Sequence, residues 1–411
     1  MKLSIRTPTQ LFVRTLAVLL WFPGLAIQVN DLMISVYDAF IVLSLPYTIV
    51  IMIQRRITIF SILTLLPFIT GLLFSNNITR SLPYFYYYCA FVLPSMLVSL
   101  AIFRRPEPRQ AFIQSFVSVA LWMAPLAVVQ FALPFPVNLV NNSNFSLQLD
   151  AVHRSQLFCP EASILAALLV VAMAVVLFNT ITKVDPRIPR GFLPLVLLFL
   201  GLASTLSSSV IVLLPLIVII IFYFGGARLS RVIPYTLIGS VAVAAFYGLA
   251  YVGRVNSGDA GGSVIVRTIS VMAGLKMFTS HWLVGNGLGS NREVAYQDVY
   301  LFERWLGYPV FKPGIDSFQI ALMNEMGVIA ALLSGFALII LFRRARDSRI
   351  QSGQRILAVF GAVVWVVAFF TTGYRGLQYC WLFFPAAYAV GLARPQSVGQ
   401  QIGRRAHPAH S

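Results

Sequence analysis

Charge is what this chain has least of. Of its 411 residues only 10% are charged, and just 13 are acidic. A soluble domain carries roughly 25% charged residues, so that class is excluded. Cysteine is scarce too. Cys89, Cys159 and Cys380 show neither metal nor redox spacing. Cys89 and Cys380 fall in apolar runs and read as packing residues. Cys159 falls on the outer side, with no evident disulfide partner. No phosphate-binding loop and no cluster of His and Asp ligands is present. No internal repeat, coiled coil or low-complexity tract appears. Strand-like alternation over about 10 residues is also missing, which excludes a membrane barrel.

What remains is apolar. Hydrophobic residues make up 58% of the chain. Runs of helix-spanning length fall near 12–29, 32–53, 57–75, 83–103, 111–133, 162–182, 191–206, 208–225, 232–252, 316–342, 356–372 and 377–393. The net charge of +17 is compatible with nucleic acid in principle. Its distribution argues otherwise, because the basic residues sit in short clusters between apolar runs. These are Arg55–Arg56, Arg104–Arg105–Arg109, Lys183–Arg187–Arg190, Arg228–Arg231, Arg343 to Arg355, and Arg394 to Arg405. That is the positive-inside pattern. Lys2, Arg6 and Arg14 precede the first run without a small-residue cleavage site, so it reads as an uncleaved helix.

With the N-terminus inside and the runs alternating, every basic cluster falls inside. The expected fold is an all-α integral membrane protein of about twelve transmembrane helices. It forms one polytopic domain over 1–411, with both termini cytoplasmic and a basic tail over 394–411. Run 191–225 carries Ser204, Thr205, Ser207, Ser208 and Ser209 at its middle. It reads as two short helices, or as one broken helix.

Two outer loops stand out, one medium (134–161) and one long (253–315). The first ends in His153, Arg154 and Glu161. In the second, 264–283 is apolar enough to lie along the membrane surface as a helix. Helical spacing puts Arg267, Gly274 and His281 on one face beside Ser270, with Lys276 opposite. Gly-Asn-Gly-Leu-Gly at 285–289 follows no strand, so it is no dinucleotide fingerprint. It reads as a turn with unusual backbone angles.

Each candidate residue has a chemical and a plainer reading. Charges within spans cost about 2.5–3.5 kcal/mol on insertion scales, which singles out Asp38 and Glu325. Asp38 alternatively reaches interfacial water, and Glu325 alternatively forms a structural ion pair. Arg375 sits between the last two runs as a site residue or an interface anchor. Arg154 offers a planar fork suited to phosphate oxygens. Glu161 at a helix start is a reactive carboxylate or a cap favoured by the helix dipole. Arg267 in Val-Ile-Val-Arg-Thr-Ile-Ser is an anion binder or a snorkelling anchor. His281 is a base or an interfacial side chain beside Trp282.

Together these residues resemble a known family. Arg267, Lys276–Met277–Phe278, His281 to Gly289 and Asn324–Glu325–Met326–Gly327 are similar to the second periplasmic loop of the O-antigen ligase and Wzy-type polysaccharide polymerase superfamily. The segment from Arg154 to Ser163 resembles the arginine-then-Glu-Pro-Ser segment of its exopolysaccharide polymerases. The likeness covers roughly 150–340, and its motifs are short.

The resemblance implies transfer of a glycan from undecaprenyl diphosphate at the periplasmic face of the bacterial inner membrane, without nucleotide or metal. It implies that Arg154, Arg254, Arg267 and Arg375 hold the diphosphate. The base would be Glu161, Asp316 or His281, since Asp316–Ser317 stands where many members carry His-Asn. A chain-length regulator and export machinery are partners compatible with it. A ligase acting on another acceptor and a lipid-linked glycan flippase are the competing functions. Reporter fusions at Asn291 and Ser348 should give opposite topology signals. Equal signals would remove the alternating arrangement.

Overall fold

The structure is a computed structural model describing residues 8–29, 32–46, 49–50, 58–133, 155–207, 209–226, 260–293, 315, 317–371 and 377–392. These residues are mostly helical. The chain begins with α1 (Pro8–Leu19), a hairpin of β1 (Ala26–Val29) and β2 (Leu32–Ser35), and α2 (Val36–Leu43). It continues through α3 (Thr58–Leu73) and α4 (Ile78–Tyr87). A π-helical turn over Tyr88–Val92 joins α4 to α5 (Leu93–Arg104). Then come α6 (Pro106–Ala132), α7 (Ala162–Thr182), α8 (Phe192–Ser204), α9 (Ser209–Phe224) and α10 (Ala260–Ser280). The last helices are α11 (Phe318–Arg346), α12 (Ser352–Thr371) and α13 (Phe383–Gly391).

Among the described residues, five helices are long and apolar enough to cross a membrane: Ile78–Arg104, Pro106–Ala132, Ala162–Thr182, Phe318–Arg346 and Ser352–Phe370. Four more are apolar but shorter, as in α1, α3, α8 and α9. The protein is therefore membrane-embedded.

The hairpin is the departure from an all-helical pattern among the described residues. Pro23–Gly24 ends the first helix, and a Cβ on Gly24 would lie 2.4 Å from the Phe158 carbonyl oxygen. The bare backbone instead donates from Gly24 N to that oxygen at 2.7 Å. The run 12–29 thus begins as helix and finishes as strand.

Residues 162–176 are apolar all round apart from Ser163, and all of them are buried. A helix without a polar face belongs in the middle of a bundle. Helices α6, α8, α9 and α12 surround α7. Small residues let neighbours approach closely, as is usual between membrane helices. Gly201 of α8 lies so near α6 that a Cβ there would be 2.6 Å from Ala124 Cα.

Run 191–225 makes two antiparallel helices. Gly191 N donates to Thr180 Oγ1 at 3.0 Å, and Gly225 packs against Ile181. Both ends of the run therefore meet the same end of α7. Its middle lies at the opposite end, where Ser204 O accepts from Ser155 N at 3.1 Å. Ser204, Ser207 and Ser209 are buried and bonded locally. Ser204 Oγ donates to Gly201 O, and Ser207 pairs with Ser209.

The two ends of the bundle differ in charge. One end gathers the α5–α6 corner, the turns 183–191 and 347–351, and the ends of α9 and α13. Hydrogen bonds Gln110–Asp185, Arg187–Gln110, Arg344–Gly391 and Arg355–Phe224 tie it together. Most of the described arginines sit there. The other end carries the hairpin, residues 155–161, the turn after α8 and the loop after α10.

Gly201→Ala should lower the thermal stability of the purified protein by about 1–3 kcal/mol, the usual cost of overpacking against backbone. A melting temperature unchanged from wild type would show that α6 and α8 yield freely.

Candidate functional site

Helix α11 is broken. Gly327 has φ 68° and ψ −156°, outside any helical conformation. A break within a membrane helix frees backbone groups that must find partners. Here the partners come from the loop after α10, residues 281–291. Asn286 N donates to Asn324 O at 2.7 Å, and Gly287 N to Glu325 O at 3.2 Å. In return, Val328 N donates to Leu283 O at 3.3 Å. The loop repairs the helix much as a neighbouring strand would.

Glycine makes this contact possible. Gly285, Gly287 and Gly289 all have positive φ, near 80–90°. Each leaves room for a different neighbour. A Cβ on Gly285 would lie 2.5 Å from Glu325 C. One on Gly287 would strike Ser75, and one on Gly289 would strike the Tyr84 ring at 2.6 Å. The loop is wedged between α11, the α3–α4 connection and α4.

Side chains complete the joint. Asn286 Nδ2 donates to Asn324 Oδ1 at 2.8 Å and to Met277 O at 3.0 Å. Asn324 Nδ2 donates to Asn291 Oδ1 at 2.7 Å, and Asn291 Nδ2 to Ala321 O at 3.2 Å. Leu288 N donates to Gly71 O, and Ser81 Oγ donates to Leu288 O at 2.7 Å. Asn324 and Glu325 are 0% exposed. Buried amides with several partners each are rigid, because any displacement leaves a costly unsatisfied group.

Beside this joint runs an apolar groove between α3, α11 and α13, open to the surface, with a cavity volume of about 110 Å³. Its floor on α11 includes Leu322, Met326, Ala330, Ala337 and Ile340. Beyond the break, from Val328 to Ile340, the helix rises about 18 Å, more than half the hydrocarbon thickness of a bilayer. Its outer end touches Met326, next to the break.

The sequence-derived candidates fare unevenly. Glu161 is the residue preceding α7, yet its side chain makes no capping bond to the helix backbone. It accepts from Ser163 Oγ at 3.0 Å and is half-buried. Its segment is fixed by Gln130 Oε1, which accepts from Gln156 N and Leu157 N. Cys159, in the same segment, is a free and fully buried thiol, and burial pushes its pKa up.

The stretch 264–283, expected to be helical, is helix α10 as far as Ser280. Gly274 faces Ile315 and Ile320, and Ser270 is buried with it, whereas Lys276 is exposed. His281 does not share that buried face. It is exposed in the turn that follows, because the chain there folds back so that Gly285 N reaches His281 O at 2.8 Å. Glu161 and His281 occupy separate parts of the same end of the bundle.

Arg267 lies in α10, and its side chain is outside the described residues. Arg154, Arg254, Asp316 and Arg375 are outside them altogether. Asp38 does not reach water. It is 1% exposed, accepts from Ser35 N and Ser35 Oγ at 2.7 Å, and takes a hydrogen bond from Gln378.

No family model and no curated protein matches the chain. The sequence reading took Gly285–Gly289 for a strained turn, which it is. Asn286 and Asn324 stood there only as members of the quoted motifs, and neither they nor Asn291 were given a bonding role. Their signal was present: an asparagine within an otherwise apolar run, and others in a glycine-rich turn.

Two glycine-to-alanine changes should move stability in opposite directions. Gly285→Ala meets both a positive φ and backbone at 2.5 Å, so it should cost about 1–3 kcal/mol. Gly335→Ala, inside α11 with nothing within 4 Å, should stabilise by roughly 0.4–1 kcal/mol. Apparent melting temperatures at one scan rate would check the pair. A Gly285→Ala protein as stable as wild type would remove the close fit at Gly285, and a destabilised Gly335→Ala would show that residue 335 is packed.

Proposed function

We propose that the chain is a glycosyltransferase that polymerises undecaprenyl-diphosphate-linked repeat units into exopolysaccharide or O-antigen. The observation that carries this reading is the joint at the break of α11. Its two sides are the two segments that resemble the polymerase superfamily, His281 to Gly289 and Asn324 to Gly327. Segments 35 residues apart in a resemblance gain weight when they bond to each other, through Asn286 and Asn324. The proposed arrangement has twelve crossings and both termini in the cytoplasm of a bacterium, the loop after α10 being periplasmic. The gathering of arginine at the opposite end supports that orientation.

In the proposed reaction a hydroxyl oxygen of one lipid-linked repeat attacks the anomeric carbon of the growing chain. The bond from that carbon to the lipid diphosphate breaks, and the bonding pair leaves with the diphosphate. The hydroxyl proton passes to a base, for which Glu161, His281 and Asp316 are the candidates. Arg267, with Arg154, Arg254 and Arg375, binds the diphosphate as its charge grows, which lowers the barrier. The groove along α11 is apolar and open to the surface, which suits part of a polyprenyl chain.

A transporter reading draws on the broken helix, since discontinuous helices with free carbonyls hold cargo in such proteins. Here the carbonyls of Asn324 and Glu325 are already bonded to the loop, which favours a fixed joint.

Purified protein should convert a lipid-linked repeat into a ladder of longer glycans on a gel. Arg267→Ala should reduce that rate on the order of 10²–10³-fold, and Arg267→Lys less, because lysine keeps the charge without the fork. Glu161→Gln should reduce it if Glu161 is the base. An Arg267→Ala protein that still makes long polymer would remove that residue from the site, and failure of the wild type to elongate would overturn the polymerase reading.

A further inference from the structure

Helix α10 and the loop behind it run down and then up the first part of α11. Gly274 meets Ile315 and Ile320. Asn286 Nδ2 bridges Met277 O and the Asn324 side chain. Further on, Leu283 O accepts from Val328 N. Positions 274, 277 and 283 thus meet successively later positions of α11, so the two helices descend side by side. Beyond the turn the chain comes back. Gly287 N donates to Glu325 O, and Asn291 Nδ2 to Ala321 O, so residues 287–291 climb past levels already crossed. Residues 281–284 are the lowest point of the excursion.

The depth of that point follows from α11. Arg343 is exposed near the far end of the helix, and from Val328 to Arg343 the rise is about 22 Å. The hydrocarbon of a bilayer is about 30 Å thick. With Arg343 at one headgroup layer, Leu283 lies about 8 Å short of the other, and deeper still if α11 tilts. The chemistry of the turn fits immersion. Irregular backbone at membrane depth is tolerated where the protein itself bonds its polar groups. Here His281 N donates to Phe278 O at 3.1 Å, and Gly285 N to His281 O at 2.8 Å. Thr279 and Ser280 are exposed, and their hydroxyls donate to Lys276 O at 2.8 and 3.0 Å, which spares them water. Lys276, a turn higher, has a stem long enough to reach headgroups. Trp282 and Leu283 are 55% and 57% exposed.

We infer that α10 and the loop after it form a re-entrant element, whose turn dips into the leaflet opposite the arginine-rich end and presents Trp282 and Leu283 to lipid chains. A tryptophan close to the headgroup layer is a common anchor, because its ring is apolar and its N–H is not. The arrangement sets His281 at lipid depth instead of in bulk water. The inference rests on α11 crossing the bilayer and not on the proposed enzyme activity.

The test uses the purified full chain in phosphatidylcholine liposomes, carrying Cys89→Ala, since Cys159 and Cys380 are buried. A nitroxide is attached in turn at Leu283→Cys, at Phe336→Cys in the middle of α11, and at Ser348→Cys in the turn at the arginine-rich end. All three side chains are exposed, so the changes remove little packing. Oxygen concentrates in hydrocarbon and a nickel chelate stays in water, so the ratio of their collision rates reports what surrounds the label. The ratio should exceed unity at 283, as at 336, and fall below it at 348. A ratio below unity at 283 would put the turn in water and overturn the inference. Low collision rates with both reagents would show protein covering the turn, which overturns it as well. A second reading needs no label. Chain-brominated phosphatidylcholine should take more fluorescence from the wild type than from Trp282→Phe, and equal losses would remove Trp282 from the lipid.

Discussion

A backbone broken inside a membrane has to be mended, and the mending organises this protein. Without water, each unpaired amide or carbonyl costs several kcal/mol. The interruption at Gly327 therefore demands donors at fixed positions, and only a segment that approaches to backbone distance can supply them. The Gly-Asn-Gly-Leu-Gly turn does so because its glycines present no Cβ toward α11, Ser75 or Tyr84. Through that contact α3, α4, α10 and α11 become one unit. The loop is thus as well placed as the helices it touches, although it comes from the most polar stretch of the sequence.

Much of the fold was legible beforehand, for reasons of solvent. A residue's preference for hydrocarbon is set by its own side chain, so helices show up as runs whatever they pack against. The centrality of α7 also follows from its sequence, which offers no face to water over Ile164–Val176. The arginine clusters located one end of the bundle for the same reason. Run 191–225 was ambiguous because serines mark both a turn and a break, and the decision rests on contacts distant in sequence, at Thr180 and Ile181.

The candidate site was legible as segments and opaque as a geometry. Helical spacing placed His281 on the face of Gly274, but spacing holds only while the helix lasts, and α10 ends one residue earlier. For Asp38 the plainer of two readings was contact with interfacial water, because it lies near a run's end. Its hydrogen bond to Gln378 spans 340 positions and leaves no local trace. The three asparagines are the same case. Alone, each is a common loop residue, and only their mutual bonding makes them a structural element.

The short helix α8 has a further consequence. It holds 13 residues, or about 20 Å, whereas α6 beside it holds 27, or about 40 Å. Phe192, Leu193, Phe199 and Leu200 of α8 are exposed, so this flank meets lipid. The apolar belt around the protein is therefore stepped. A bilayer matched to such a step thins locally, at fractions of a kcal/mol for each ångström. Residues 155–161 fill the notch above α8, tied down at Ser204. Lipid thinned to that step would bring the aqueous boundary nearer the midplane beside residues 155–161, the segment that Glu161 closes.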